Sequence, residues 1–107
     1  MAVRVNSEQF ARELKESTVP LLVEFYSDSC IPCKQLSPIL GDLEEAYEEQ
    51  IKIVKVNVNF EQELAAQYEI LASPTILFFQ DGEEKKRIRG LVKKPELENA
   101  VKEILEG

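Results

Sequence analysis

Between Pro20 and Tyr47 the sequence changes from one hydrophobic rhythm to another, and two cysteines mark the change. Leu21-Leu22-Val23-Glu24-Phe25-Tyr26 is a nearly unbroken apolar run. It reads as a β-strand covered on both faces. Beyond Cys33 the apolar residues Leu36, Ile39, Leu40, Leu43 and Tyr47 recur at spacings of three and four, the stripe of a helix. Pro38 lies inside that stripe and is expected to kink the helix. Cys30-Ile31-Pro32-Cys33 thus sits where a buried strand gives way to a helix.

The same alternation runs through the rest of the chain. Residues 2–5 form a short candidate strand. Asn6 and Gln9 have the spacing of a capping box, opening a helix whose apolar stripe is Phe10, Ala11 and Leu14. Residues 51–57 are the next strand, and 61–68 a short helix with Leu64, Ala65 and Tyr68. Thr75–Gln80 is rich in β-formers and ends at Asp81-Gly82, a hairpin signal. Residues 85–90 are the returning strand. Pro95 suits a first helical turn, followed by the stripe Leu97, Ala100, Val101, Ile104 and Leu105. The order is β-α-β-α-β-α-β-β-α. Strands separated by helices pair in parallel through right-handed crossovers, and the hairpin pair must be antiparallel. The expected class is α/β, a central mixed five-stranded sheet flanked by four helices. At 107 residues the chain is expected to be one domain over 1–107.

Composition narrows the chemistry. There is no histidine among the 107 residues, which removes Ser-His-Asp and Cys-His catalysis and His-ligated zinc. Thirteen Lys and Arg against twenty Asp and Glu give a net charge of −7. That balance argues against nucleic acid as a partner, because phosphate binding needs a basic surface. Residues 85–94 hold Lys85, Lys86, Arg87, Arg89, Lys93 and Lys94 with no acid, and read as an edge strand guarded by cations. The acids Asp42, Glu44, Glu45, Glu48 and Glu49 read as a solvated helix face. Residues 1–10 lack the apolar core of a signal peptide, and the apolar runs 21–23 and 76–79 are far too short for a membrane span. The expected location is therefore the cytoplasm, where a close Cys pair is more often catalytic or metal-binding than structural.

A sulfur at the start of a helix is a candidate nucleophile. The first N–H groups of a helix lack internal partners and carry partial positive charge. They stabilise a thiolate and pull its pKa below the roughly 8.5 of a free thiol. Cys30 is expected to be the more exposed sulfur and Cys33 the deeper one, within reach of a disulfide. Pro32 occupies a first-turn position where its missing N–H costs nothing. A dithiol redox pair is the leading reading. A metal or iron–sulfur site is the alternative from another class. Zinc wants four ligands, so two cysteines without histidine would need a second subunit or nearby carboxylates.

The chain resembles the thioredoxin family over essentially its whole length. The resemblance rests on Val23-Glu24-Phe25-Tyr26, Cys30-x-Pro32-Cys33-Lys34, Pro38, Lys55-Val56-Asn57-Val58, Ser73-Pro74-Thr75, Asp81-Gly82 and Gly90. It implies the thioredoxin fold and reduction of protein disulfides, with Cys30 as attacking thiolate and Cys33 as resolving thiol. It implies a reversible Cys30–Cys33 disulfide with no other cofactor, disulfide-containing target proteins, and a thioredoxin reductase or similar dithiol donor. A monomer without nucleic acid, metal or membrane is expected. Glu24 stands where the family usually has Asp, and the resemblance makes it the base for Cys33, with Lys55 tuning it. The competing readings place Glu24 at the strand edge in solvent and Lys55 among solvated strand ends. Pro74 is implied to follow a cis bond that presents the Ser73 backbone to a substrate strand. Ile31, Pro32 and Gly90 complete the implied substrate rim. Two departures touch that rim. Ser29 stands where Trp is usual, and Ile31 where Gly is usual. An oxidase or isomerase is the nearest rival within the same fold.

Overall fold

The computed structural model describes residues 2–107. In chain order these form β1 (Val3–Arg4), α1 (Ser7–Glu16), β2 (Leu21–Tyr26), α2 (Ile31–Ala46), β3 (Lys52–Asn57), α3 (Gln62–Gln67), β4 (Thr75–Gln80), β5 (Glu83–Arg89) and α4 (Lys94–Glu106). The five strands make one sheet in the order β1-β3-β2-β4-β5. β3 pairs in parallel with β1 and β2, whereas β4 pairs antiparallel with β2 and β5.

Side-chain parity along the strands builds two cores. Leu21, Val23 and Phe25 point to one face, with Val54, Val56, Leu77 and Phe79, and meet Phe10 of α1 and Leu64 of α3. Leu22, Ile53, Ile76 and Phe78 point to the other, against Leu36, Leu40 and Leu43 of α2 and Leu97 and Val101 of α4. β2 is buried at every position because both faces are covered. Residues two apart share a face, so Glu24, between Leu22 and Tyr26, stands on the α2 side of the sheet.

Most expected elements form where the sequence places them. Asn6 caps α1 with a complete capping box, its side chain accepting from Gln9 N–H at 2.8 Å while Gln9 accepts from Asn6 N–H at 2.9 Å. Asp81 (φ 53°) and Gly82 (φ 80°) both adopt the left-handed conformation that a two-residue hairpin turn requires. β5 begins earlier than expected, at Glu83, since pairing continues through Gln80↔Glu83 and Phe79↔Glu84. α2 continues through Pro38 as one helix. The basic stretch is largely neutralised: Lys85 pairs with Glu83, Lys86 with Glu103, Arg87 with Glu84 and Lys94 with Asp42. Among the described residues no helix is long and apolar enough to cross a membrane.

Candidate active site

β2 ends at Tyr26 in the middle of the sheet, and the chain turns straight into α2. Cys30 is the N-cap of α2, with extended backbone (φ −86°, ψ 106°), and its sulfur accepts a hydrogen bond from Cys33 N–H at 3.1 Å. A sulfur thus does what a Ser or Asp oxygen does at most helix starts. Cys30 and Cys33 are joined as a disulfide, with Cα atoms 5.2 Å apart. The expected contrast in exposure is hardly present. Cys30 is 8% and Cys33 6% exposed, and both pack in a buried cluster with Tyr26.

The turn between β2 and α2 is braced from β3. Asn57 Nδ2 donates to Asp28 Oδ1 at 2.8 Å, Asp28 N–H to Asn59 Oδ1 at 2.9 Å, and Asn59 N–H to Asn57 Oδ1 at 2.8 Å. Cys30 N–H donates to Ser27 O at 3.3 Å. Sequence reading did not single out Asp28, Asn57 or Asn59 for this. The only available signal was a cluster of turn-forming Asn at the end of a strand.

Glu24, two residues before the end of β2, is 1% exposed. The reading that sends it to solvent is overturned. Among the described residues neither carboxylate oxygen has a hydrogen-bond partner, and the cation paired with it is Lys55 Nζ, 3.8 Å from Oε1. Burial pushes its pKa up to about 7, and the Lys55 charge pulls the other way. Near neutral pH the carboxyl is therefore poised between its two protonation states. The two strand lysines part company here: Lys52 reaches out to Glu13, whereas Lys55 turns to Glu24.

Facing the disulfide is a cleft of about 560 Å³ that brings together Cys30, Ile31, Pro32 and Ser73, with Val58 and Leu71. Ile31 is 67% and Leu71 84% exposed, so apolar side chains stand on both banks of the cysteines. Leu71 was not anticipated, since a single Leu in a loop carries no pattern. The Ser73–Pro74 peptide is cis. Pro74 and Gly90 do not line the cleft. They lie next to it, joined by a 2.7 Å hydrogen bond from Gly90 N–H to Pro74 O. Gly90 has φ 81° and open space where a Cβ would point, so its backbone conformation, rather than crowding, is what calls for glycine. Among the described residues no group of three or more His, Cys, Asp or Glu is arranged to hold a metal.

Comparison with known proteins agrees with this geometry. The Thioredoxin family model matches residues 1–103. The chain is 35% identical over 101 residues to thioredoxin 1 of Synechococcus elongatus, covering 94% of each chain. It is 34% identical over 97 residues to a thioredoxin of Rickettsia bellii, covering 91% of this chain and 92% of that one. The solved structure of oxidised mitochondrial thioredoxin 3 from Saccharomyces cerevisiae superposes with a TM-score of 0.86 at 29% identity, over 95% of this chain and 94% of that one.

Proposed function

The chain belongs to the thioredoxin family and is a thiol–disulfide oxidoreductase, and from that premise we propose that it reduces disulfides in other proteins. The observation that carries the proposal is the Cys30–Cys33 disulfide at the start of α2, beside an open cleft on which the exposed side chains of Ile31 and Leu71 border.

In the reduced protein Cys30 is the nucleophile, its thiolate favoured by the α2 N-terminus. It attacks one sulfur of a target disulfide, forms a Cys30–target disulfide and expels the other target sulfur as a thiolate. Glu24, buried like Cys33, accepts the Cys33 proton. Cys33 then attacks Cys30 Sγ, expels the second target thiolate and closes Cys30–Cys33. The two electrons lost by the cysteines are those gained by the target. Lys55 holds Glu24 within a range where it both takes and returns the proton. Ile31, Pro32, Ser73, Pro74 and Gly90 form the substrate rim. The Ser73 backbone offers strand-like hydrogen bonds, and Ile31 supplies apolar contact where Ser29 gives little. The Cys30–Cys33 pair is the only redox centre, with no added cofactor. A thioredoxin reductase or similar dithiol donor recharges it. The protein works as a monomeric single domain in the cytoplasm.

Insulin reduction driven by a small dithiol tests the proposal. Wild type is expected to accelerate it well above the dithiol alone, and Cys30→Ser to abolish the acceleration. Wild type no faster than the dithiol alone refutes general protein-disulfide reduction.

A further inference from the structure

Tyr26 closes β2 and packs with Cys30 and Cys33 as a small buried cluster apart from the two main cores. The residue is 8% exposed, yet its hydroxyl is buried with no hydrogen-bond partner among the described residues. A buried hydroxyl in that condition bears its desolvation cost uncompensated, and native structures rarely keep one without a reason. Two cations lie over the ring, Lys55 Nζ at 4.9 Å and Arg4 Cζ at 5.8 Å from its centroid. Positive charge there draws electron density from the phenol, which makes the O–H a better donor and a poorer acceptor.

The neighbour whose hydrogen-bonding power changes with the chemistry is the disulfide. Its divalent sulfurs are weak acceptors, whereas a thiolate is a strong, charged one. The geometry points to the Tyr26 hydroxyl as a donor held for the reduced state: when Cys30–Cys33 opens, it hydrogen-bonds the Cys30 thiolate. This rests on the thiol exchange proposed above. Opening the disulfide takes two electrons from the donor dithiol and two protons. Ionisation of Cys30 then releases one proton to solvent, and the tyrosine keeps its own throughout. Tyr26 thereby stabilises the reduced form over the oxidised one, and sets how readily the pair accepts electrons.

Tyr26→Phe removes only the hydroxyl. It leaves in place the charges around the cluster: Glu24 on β2, Lys55 on β3, Arg4 on β1, Asp28 in the turn and Lys34 in α2. Two readouts report on the thiolate, the pH midpoint of Cys30 alkylation by iodoacetamide and the redox equilibrium with glutathione. We expect the equilibrium to move about tenfold toward the disulfide, about 30 mV more reducing, and the alkylation midpoint to rise by about one pH unit. Thermal melts give an independent check. The oxidised variant should be as stable as wild type or more so, and the reduced variant less stable. Equal shifts in both redox forms, an equilibrium within about twofold of wild type, or failure of the oxidised variant to fold each overturn the proposal, since each assigns the hydroxyl a purely structural role or none. If wild type fails to reduce insulin while the alkylation and redox shifts appear as expected, the reductase reading falls and the Tyr26 inference stands.

Discussion

Replacing Glu24 with Gln should remove the cost of a buried charge, and the size of that effect follows from its surroundings. The carboxyl is 1% exposed with no hydrogen-bond partner among the described residues, and its pKa is raised from 4.5 to about 7. A carboxyl whose folded pKa lies above its unfolded one binds its proton more tightly when folded. Its contribution is therefore most favourable below pH 4.5, is lost as pH rises toward 7, and stays lost above. At 1.36 kcal/mol per unit the loss is roughly 3 kcal/mol, a shift in urea midpoint of about 2 M for a slope near 1.5 kcal/mol/M. The assay is urea unfolding of the oxidised proteins from pH 4 to 9, with the disulfide intact so that thiols do not titrate. Wild type should lose stability relative to Glu24→Gln across that window, and the variant should be the more stable protein at pH 8.5. Parallel curves would show that the carboxyl titrates normally. A wild type that gains on the variant as pH rises would mean that the Lys55 attraction outweighs burial. Either result refutes the reasoning.

Two further outcomes follow from the same contacts. Lys55→Met removes the charge that lowers the Glu24 pKa, so the midpoint of the pH–stability difference between Lys55→Met and Lys55→Met/Glu24→Gln should move above 7. Asn57→Ala leaves the Asp28 carboxylate and the Asn59 N–H without their partners at a position only 2% exposed. It should cost about 1–3 kcal/mol in urea unfolding and slow insulin reduction several-fold.

The layered fold was legible because strand and helix periods alternate cleanly, and because Asn6/Gln9 and Asp81-Gly82 are local signals with one structural solution each. The disulfide-bearing turn was legible for the same reason: Cys-x-Pro-Cys lies between a strand pattern and a helix pattern. What escaped notice is decided by contacts distant in sequence or by unusual residues at common motifs. The end of α3 is an example. Ile70 N–H reaches Ala65 O at 2.9 Å and Glu69 N–H reaches Ala66 O at 3.1 Å, a Schellman closure with Glu69 at φ 53° where Gly is usual. No glycine marks it, so the sequence carries no stop signal there. The Asp28–Asn57–Asn59 brace spans about thirty residues, and Leu71 reaches the cleft only because the loop before Pro74 folds against the cysteines. Whether Glu24 faced solvent or the core could not be read from alternation alone, since every position of β2 is buried.

The central claim is that Cys30 makes the bond to the target and Cys33 breaks it. Mass spectrometry under non-reducing conditions tests it directly, with reduced Cys33→Ser or reduced Cys30→Ser mixed with a protein disulfide. The account predicts a stable covalent adduct through Cys30 in the Cys33→Ser protein and none in Cys30→Ser. An adduct forming equally well in Cys30→Ser, or in neither variant, would contradict it.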